Sequence, residues 1–140
     1  LGLLACCDVV ISSENARFCF SEAKLGLVPA LISPYVISAI GKRNAKRFFL
    51  TAEVFNAKTA HQIGLVHEVF PDNHLWQSAE NFLSLFCQNS LPALTAIKKI
   101  FPPVTPTEQK KCVNLLAKIR TTPEAQKRLQ QFLNGKVKRS

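Results

Sequence analysis

The chain has 140 residues, of which 47% are apolar, and its mean hydropathy is +0.08. This composition fits one globular domain and excludes disordered and fibrous proteins. No apolar run approaches the roughly 20 residues that a bilayer span requires, which excludes a membrane-spanning protein. The chain contains no Met and starts within the apolar run LGLLACC, so we expect it to be the C-terminal piece of a larger core.

The charge of the chain is concentrated late in the sequence. Eighteen Lys and Arg residues against nine Asp and Glu give a net charge of +9, and residues 127–140 carry five cations and no acid. Such a segment is typical either of a solvated helix face and tail or of a surface that binds an anion, for example a phosphate, an acidic surface or RNA. Composition alone leaves both interpretations open.

The cysteines and histidines indicate neither disulfides nor a metal site. The five cysteines are an odd number and contain no Cys-x-x-Cys pair. Cys6, Cys7 and Cys19 lie among apolar residues, as buried thiols do, which predicts a reducing cytoplasm or organelle matrix. The three histidines lack the spacing of a helical metal pair, so no metal is expected.

In chain order, the first half reads as short strands alternating with helices. Residues 1–7 could end a helix, 9–11 and 18–20 have strand composition, 12–16 form a turn, and 24–30 form a loop. Ser33 is predicted to cap a helix that begins with Pro34, and Gly41 can end that helix. Residues 43–51 continue as another helix. Asn56 caps a helix over 57–63, and a strand over 65–70 completes an α/β connection.

From residue 73 onward the pattern predicts only helices. Residues 75–86 carry an apolar stripe at three- and four-residue steps, which must face other protein. Further helices are predicted over 92–100, 109–120 and 123–133, the last opened by Thr122 and Pro123.

One acidic residue stands in an unusual place. Glu22 follows the predicted strand over 18–20 and precedes an apolar loop that contains Gly26 and Pro29. A carboxyl group among such neighbours would be partly desolvated, which suits proton transfer. The alternative is an exposed glutamate or a salt bridge to Lys24. Composition does not decide between them.

The order of segments resembles the enoyl-CoA hydratase (crotonase) family over nearly the whole chain. The motifs that carry the resemblance are LLACCD (3–8), ARFCFSE (16–22), LGLVP (25–29), AIGK (39–42), FLT (49–51), AKTA (57–60) and GLV (64–66). The segment FCFSEAKLGLVPALISPY (18–35) looks most like the bacterial methylglutaconyl-CoA hydratase-like branch.

The resemblance implies an α/β fold: the C-terminal part of a crotonase-like ββα spiral over residues 1–72, followed by an all-helical oligomerisation region over 73–140. It also implies a homotrimer or a hexamer of paired trimers, and a bacterial cytoplasmic location. Coenzyme A is expected only as part of the acyl-CoA substrate, with no separate cofactor.

In the family, two glutamates share the hydration of a thioester-conjugated double bond. Glu22 matches the one that exchanges a proton with the substrate carbon. The other belongs six positions ahead of Asp8, where this chain has Gly2. Glu22 would therefore be the sole acid–base group, as in family members that isomerise a double bond, so hydratase and isomerase both stay open.

The resemblance also implies an oxyanion hole of two backbone N–H groups, contributed by a turn before Leu1 and by a loop further upstream. We therefore expect the 140-residue chain alone to be inactive without the N-terminal half. Gly2, Leu27, Pro29, Ala30 and Leu31 are expected to line the acyl pocket. Two residues near the end of the chain, Phe132 and Lys136, are expected to contact coenzyme A.

An alternative from another class is a non-catalytic assembly or RNA-binding module. The +9 charge and Gly2 favour it, and one branch of the family binds RNA.

Overall fold

A computed structural model of the chain describes residues 1–101 and 105–135. The helices are α1 (Gly2–Ala5), α2 (Ser33–Thr51), α3 (Ala57–Gln62), α4 (Leu75–Cys87), α5 (Leu91–Lys98), α6 (Pro106–Arg120) and α7 (Pro123–Leu133). The strands are β1 (Ile11–Ser13), β2 (Arg17–Phe18), β3 (Phe55–Asn56) and β4 (Glu68–Phe70). Two short 3₁₀ helices cover Ser21–Leu25 and Asp72–His74. The first of these is called the Glu22 turn below.

The strands form two separate pairs. β1 runs parallel to β4, with Ile11 opposite Glu68, and β2 runs antiparallel to β3, with Phe18 opposite Phe55. The first predicted strand, over 9–11, is displaced toward 11–13. The reason lies in His67. Its side-chain Nδ1 accepts the Val10 backbone N–H at 3.0 Å, and its backbone N–H donates to the Val10 carbonyl at 2.8 Å. At Val10 the His67 side chain thus takes the place of the backbone acceptor that strand pairing would supply to the Val10 N–H.

An aromatic cluster joins the second strand pair to α2. The rings of Phe48 and Phe55 have centroids 4.3 Å apart, and Phe18 stacks on Phe55 at 5.6 Å. Phe20 meets Phe49 edge to face at 5.1 Å. Aromatic pairs at such distances add to the free energy gained by burying their large apolar areas. Together with Val36, Leu65 and Val66, this cluster forms the centre of the hydrophobic core.

The ends of α2 and α3 test two capping predictions. Ser33 is the first helical residue rather than the cap, which is Ile32, because the Ser33 hydroxyl donates to the Ala30 carbonyl at 3.0 Å. The prediction that Asn56 caps the next helix is confirmed, since its side-chain oxygen accepts the Thr59 N–H at 2.9 Å. The predicted break at Gly41 is also confirmed, because its φ of 75° and ψ of 157° interrupt α2.

The C-terminal helices fold back on the first half. α6 packs against α2, where the Ser33 hydroxyl lies 3.7 Å from the Cys112 sulfur, and α7 packs against the Glu22 turn. Among the described residues, no helix is both long and apolar enough to traverse a bilayer.

One expectation about the thiols is wrong. Cys6 and Cys7 are exposed, and Cys19 is half-buried. The apolar composition around Cys6 and Cys7 does not bury them because α1 is only four residues long and buries none of its side chains within this chain.

We expect Phe48→Ala to lower the free energy of unfolding by about 3–5 kcal/mol, because it removes a ring that is 1% exposed from the centre of the cluster. Leu50, two residues further along the same helix, is 72% exposed and provides the control. Leu50→Ala should change the free energy of unfolding by about 0.5 kcal/mol or less. Urea titration followed by circular dichroism measures both, and equal losses would contradict the assignment of the core.

Candidate active site

The Glu22 turn begins where the chain leaves the core. Phe20, two residues before Glu22, is 2% exposed within the aromatic cluster. Gly26 closes the turn with a φ of 69°, a left-handed conformation that glycine adopts without strain. The Gly26 N–H donates to the Ala23 carbonyl at 3.1 Å, and the Leu27 N–H donates to the Glu22 carbonyl at 2.9 Å. The backbone of Glu22 is therefore fixed from both sides.

Glu22 is half-buried as a residue. Within the described residues its carboxylate makes no hydrogen bond and no ion pair, and a salt bridge to Lys24 is not among the ion pairs found there. A carboxylate without a protein partner keeps its oxygens available for proton exchange with a ligand. This property makes Glu22 the leading candidate for an acid–base residue.

Gly2, at the start of α1, packs directly against Ile32 at the start of α2. A Cβ atom placed on Gly2 would overlap the Cγ2 methyl of Ile32 and lie 3.0 Å from its Cβ. Because isoleucine is branched at Cβ, it cannot swing that methyl group away without leaving its preferred rotamer. The position that the resemblance gives to a second carboxylate is therefore filled by the Ile32 side chain.

The other residues expected in the acyl pocket differ in exposure. Leu27 and Pro29 are half-buried, Ala30 is 4% exposed, and Leu31 is 52% exposed. All of them lie on the connection between the Glu22 turn and α2. The backbone there is held by the Ser33 N–H, which donates to the Pro29 carbonyl at 2.8 Å.

Of the two residues expected to contact coenzyme A, Phe132 is half-buried on α7. Lys136 lies outside the described residues. α7 itself contacts the Glu22 turn, so the helix that carries Phe132 also lies against the turn that carries the candidate acid–base residue.

Two open grooves border the N-terminal segment, and Glu22 lines neither of them. The first, about 550 Å³, lies between residues 6–11 and the apolar stripe of α4. The second, about 780 Å³, is lined mainly by α5. Asp8 and Phe86 border both grooves, and the Asp8 carboxylate pairs with the Lys98 ammonium at 2.7 Å. α4 and α5 therefore present apolar surface on either side of one ion pair.

A smaller polar groove of about 280 Å³ lies beside β3. Arg47 and Glu53 form a two-pronged ion pair in it, with N–O distances of 2.8 and 3.1 Å. The hydrogen bond from Arg47 is the main cause that lowers the pKa of Glu53; desolvation opposes it, and a hydrogen bond from Thr51 and the charge of Arg47 add to it. The pKa of Arg47 is raised by the same pair. Because both groups are exposed to solvent, the pair contributes little to stability.

Within residues 1–101 and 105–135, no three His, Cys, Asp or Glu side chains group closely enough to hold a metal ion.

Comparison with known proteins identifies the family of the chain. The sequence model of the enoyl-CoA hydratase/isomerase family matches residues 1–137. The chain is 38% identical over 94 residues to the 2,3-dehydroadipyl-CoA hydratase of Escherichia coli, covering 66% of this chain and 37% of that protein. It is 30% identical over 101 residues to the mitochondrial Δ(3,5)-Δ(2,4)-dienoyl-CoA isomerase of Dictyostelium discoideum, covering 71% and 34%.

A solved structure extends the comparison to three dimensions. The crystal structure assigned to the enoyl-CoA hydratase/isomerase (crotonase) class from Legionella pneumophila is 40% identical and superposes with a TM-score of 0.68. The superposition covers 97% of this chain and 54% of that one.

The chain therefore belongs to the enoyl-CoA hydratase/isomerase family and has the corresponding part of the crotonase fold. It spans about half the length of the solved relative and just over a third of the two curated relatives.

Sequence reasoning missed the neighbours that hold the site. Ile32 gave no signal that it would fill the space beside Gly2. Ala125 and Arg128, which lie against Gly26, are 99 and 102 positions away in the chain. Only the small size of Ala125 within an otherwise polar helix start could have suggested a close approach.

We expect Gly2→Ala to lower the free energy of unfolding by about 1–3 kcal/mol, because the new methyl group collides with Ile32. In the Ile32→Ala background the same change should cost less, which gives a coupling energy on the order of 1 kcal/mol. Urea unfolding of the four proteins of this cycle measures it. Additive effects would show that Gly2 and Ile32 do not compete for the same space.

Proposed function

We propose that the chain carries the acid–base side of an acyl-CoA active site, in which Glu22 exchanges a proton with the substrate and water is added to an α,β-unsaturated acyl-CoA. The observation that supports this most strongly is the position of Glu22, which is half-buried as a residue. The carboxylate of Glu22 has no partner among the described residues, and Glu22 lies on a turn that is fixed between the core and α7. The chain that carries it is a member of this family.

The reaction balances with one carboxylate. Water oxygen forms a bond to the β-carbon while the double bond breaks and its electrons move toward the thioester carbonyl. The proton that water loses passes to Glu22 and from Glu22 to the α-carbon, which restores the carboxylate. Two backbone N–H groups on the thioester oxygen would stabilise the enolate. By the family resemblance, they come from residues that precede Leu1.

For the substrate we propose a dicarboxylic acyl group such as methylglutaconyl. The segment over 18–35 resembles that branch, and the E. coli relative is named for 2,3-dehydroadipyl-CoA, whose acyl chain also carries a second carboxylate. Gly2, Leu27, Pro29, Ala30 and Leu31 would line the acyl pocket. Phe132 and Lys136 would contact the coenzyme A part of the substrate, and the reaction would need no separate cofactor.

Isomerisation of the double bond is the second candidate. Gly2 and Ile32 leave no room for the second carboxylate, and the Dictyostelium relative is named as an isomerase. An isomerase needs one group that removes a proton from one carbon and returns it to another, a role that a lone Glu22 can fill.

We further propose that residues 1–72 form the spiral part and that 73–140 form an oligomerisation region of a trimer or hexamer. The exposed apolar side chains of α4 and α5 support this, among them Leu83 at 63% and Ile97 at 49% exposed. The bacterial cytoplasm is the proposed location, since all five cysteines are free thiols.

Glu22→Gln should reduce turnover by about 10²–10⁴-fold, because glutamine cannot exchange the proton. The assay uses the chain joined to the part of the Legionella protein that it does not match, called the joined protein below, with the 140-residue chain alone as the inactive baseline. Loss of the absorbance of a conjugated acyl-CoA reports hydration.

Glu14→Gln is the matched control, because Glu14 is an exposed carboxylate in the tight turn after β1. It should leave the rate unchanged. Analysis of the product by mass separates the two reactions, since hydration adds the mass of water and isomerisation adds none. A joined protein that keeps its full rate with Glu22→Gln would refute the role of Glu22.

The double substitution Leu83→Lys and Ile97→Lys should shift the protein toward single chains in sedimentation, because it places two charges on the apolar faces of α4 and α5. Leu50→Lys, at a residue that is 72% exposed on α2, provides the control and should leave sedimentation unchanged. Identical sedimentation of all three proteins would contradict association through α4 and α5.

A further inference from the structure

α7 touches the body of the protein at one buried point. Every residue of α7, Pro123–Leu133, is described, and Ala125 is the one that is buried, with no exposed surface at all. That point lies on the closing residue of the Glu22 turn: a Cβ placed on Gly26 would be 3.1 Å from the Ala125 Cα and 2.9 Å from the Arg128 Cδ. The two backbones therefore meet with no space for a side chain between them.

Both sides of this contact are fixed by local bonds. On α7, the Thr122 hydroxyl caps the helix by accepting the Ala125 N–H at 3.3 Å. The Arg128 guanidinium pairs with Glu124 at 2.5 Å, which holds the stem of Arg128 over Gly26. On the turn, the Leu27 N–H donates to the Glu22 carbonyl at 2.9 Å, and Gly26 belongs to the short stretch of chain that this hydrogen bond closes. A displacement of Gly26 is therefore transmitted directly to the backbone of Glu22.

We propose that α7 acts as a positioning element for the acid–base residue, and that the close approach of the buried Ala125 backbone to Gly26 sets the place of Glu22. This inference rests on the proposed function of Glu22. Ala125 does not touch the reacting atoms; it acts through Gly26 and Leu27. A reaction that requires the carboxylate at a fixed distance from one carbon is sensitive to a shift of about 1 Å, which can cost on the order of a hundredfold in rate.

The test replaces Ala125 by Leu and compares it with the same change at Ala117, an exposed position on α6. In the 140-residue chain, hydrogen exchange of the Gly26 and Leu27 amides should become faster by about tenfold with Ala125→Leu. Exchange of the Thr59 amide, which is bonded to the Asn56 cap on α3, should not change. Ala117→Leu should leave all three amides as they are.

In the joined protein, Ala125→Leu should lower kcat by about tenfold or more and leave KM within about twofold, because the carboxylate moves and the binding groups stay. Ala125→Gly keeps the close approach and should retain most of kcat. If Ala125→Leu prevents folding, Ala125→Val makes the same comparison with less added volume.

The outcomes separate this inference from the proposed function. Unchanged exchange at Gly26 and Leu27 in a folded Ala125→Leu protein overturns the positioning contact. An equal effect of Ala125→Leu and Ala117→Leu on kcat also overturns it, provided that Glu22→Gln abolishes turnover. If Glu22→Gln itself leaves the rate unchanged, the proposed function fails, and the exchange result still decides whether α7 holds the turn.

Discussion

The burial of Phe20 determines where Glu22, the proposed acid–base residue, can lie. Phe20 is 2% exposed, meets Phe49 edge to face and stacks toward Phe55, so its backbone cannot move without opening the aromatic cluster. Glu22 follows two residues later, directly after the exposed Ser21, where the chain has left the core. The same cluster holds α2 against the second strand pair, and α2 packs against the Glu22 turn. The packing of the aromatic cluster therefore also fixes the position of the Glu22 turn.

The helical predictions confirmed by the structure depended on local signals. The Asn56 cap, the break at Gly41 and the start of α7 at Thr122 and Pro123 each follow from the conformational preference of one or two residues. Predictions that depended on the surroundings did less well. Ser33 lost the capping role to a bond with the Ala30 carbonyl, and the apolar composition near Cys6 did not bury that thiol.

The candidate site was predictable in part for the same reason. Glu22 stood out because of its neighbours in sequence and because of the family motif around it. Its supporting contacts are long-range: Ala125 reaches Gly26 across 99 positions, and Ile32 reaches Gly2 across 30. No local pattern encodes such contacts, since they arise only when α1, α2 and α7 are packed. Close packing is visible in the sequence only as the small residues Gly2, Gly26 and Ala125.

The absence of a second carboxylate limits the chemistry in a definite way. With Ile32 in the space beside Gly2, a negatively charged group at that position would lose hydration next to an apolar side chain, which is costly. In the proposed reaction, Glu22 must then both accept and donate the proton within one catalytic cycle. A carboxylate fixed by the turn cannot reach the opposite face of the substrate, so in the proposed reactions it exchanges protons on one face only. Hydration by this arrangement would add water to one face of the double bond, and isomerisation would move a proton along one face. The two proposed reactions then differ in whether the pocket admits a water molecule beside the β-carbon and in which substrate carbons lie within reach of Glu22, so the residues that shape the acyl pocket decide between them.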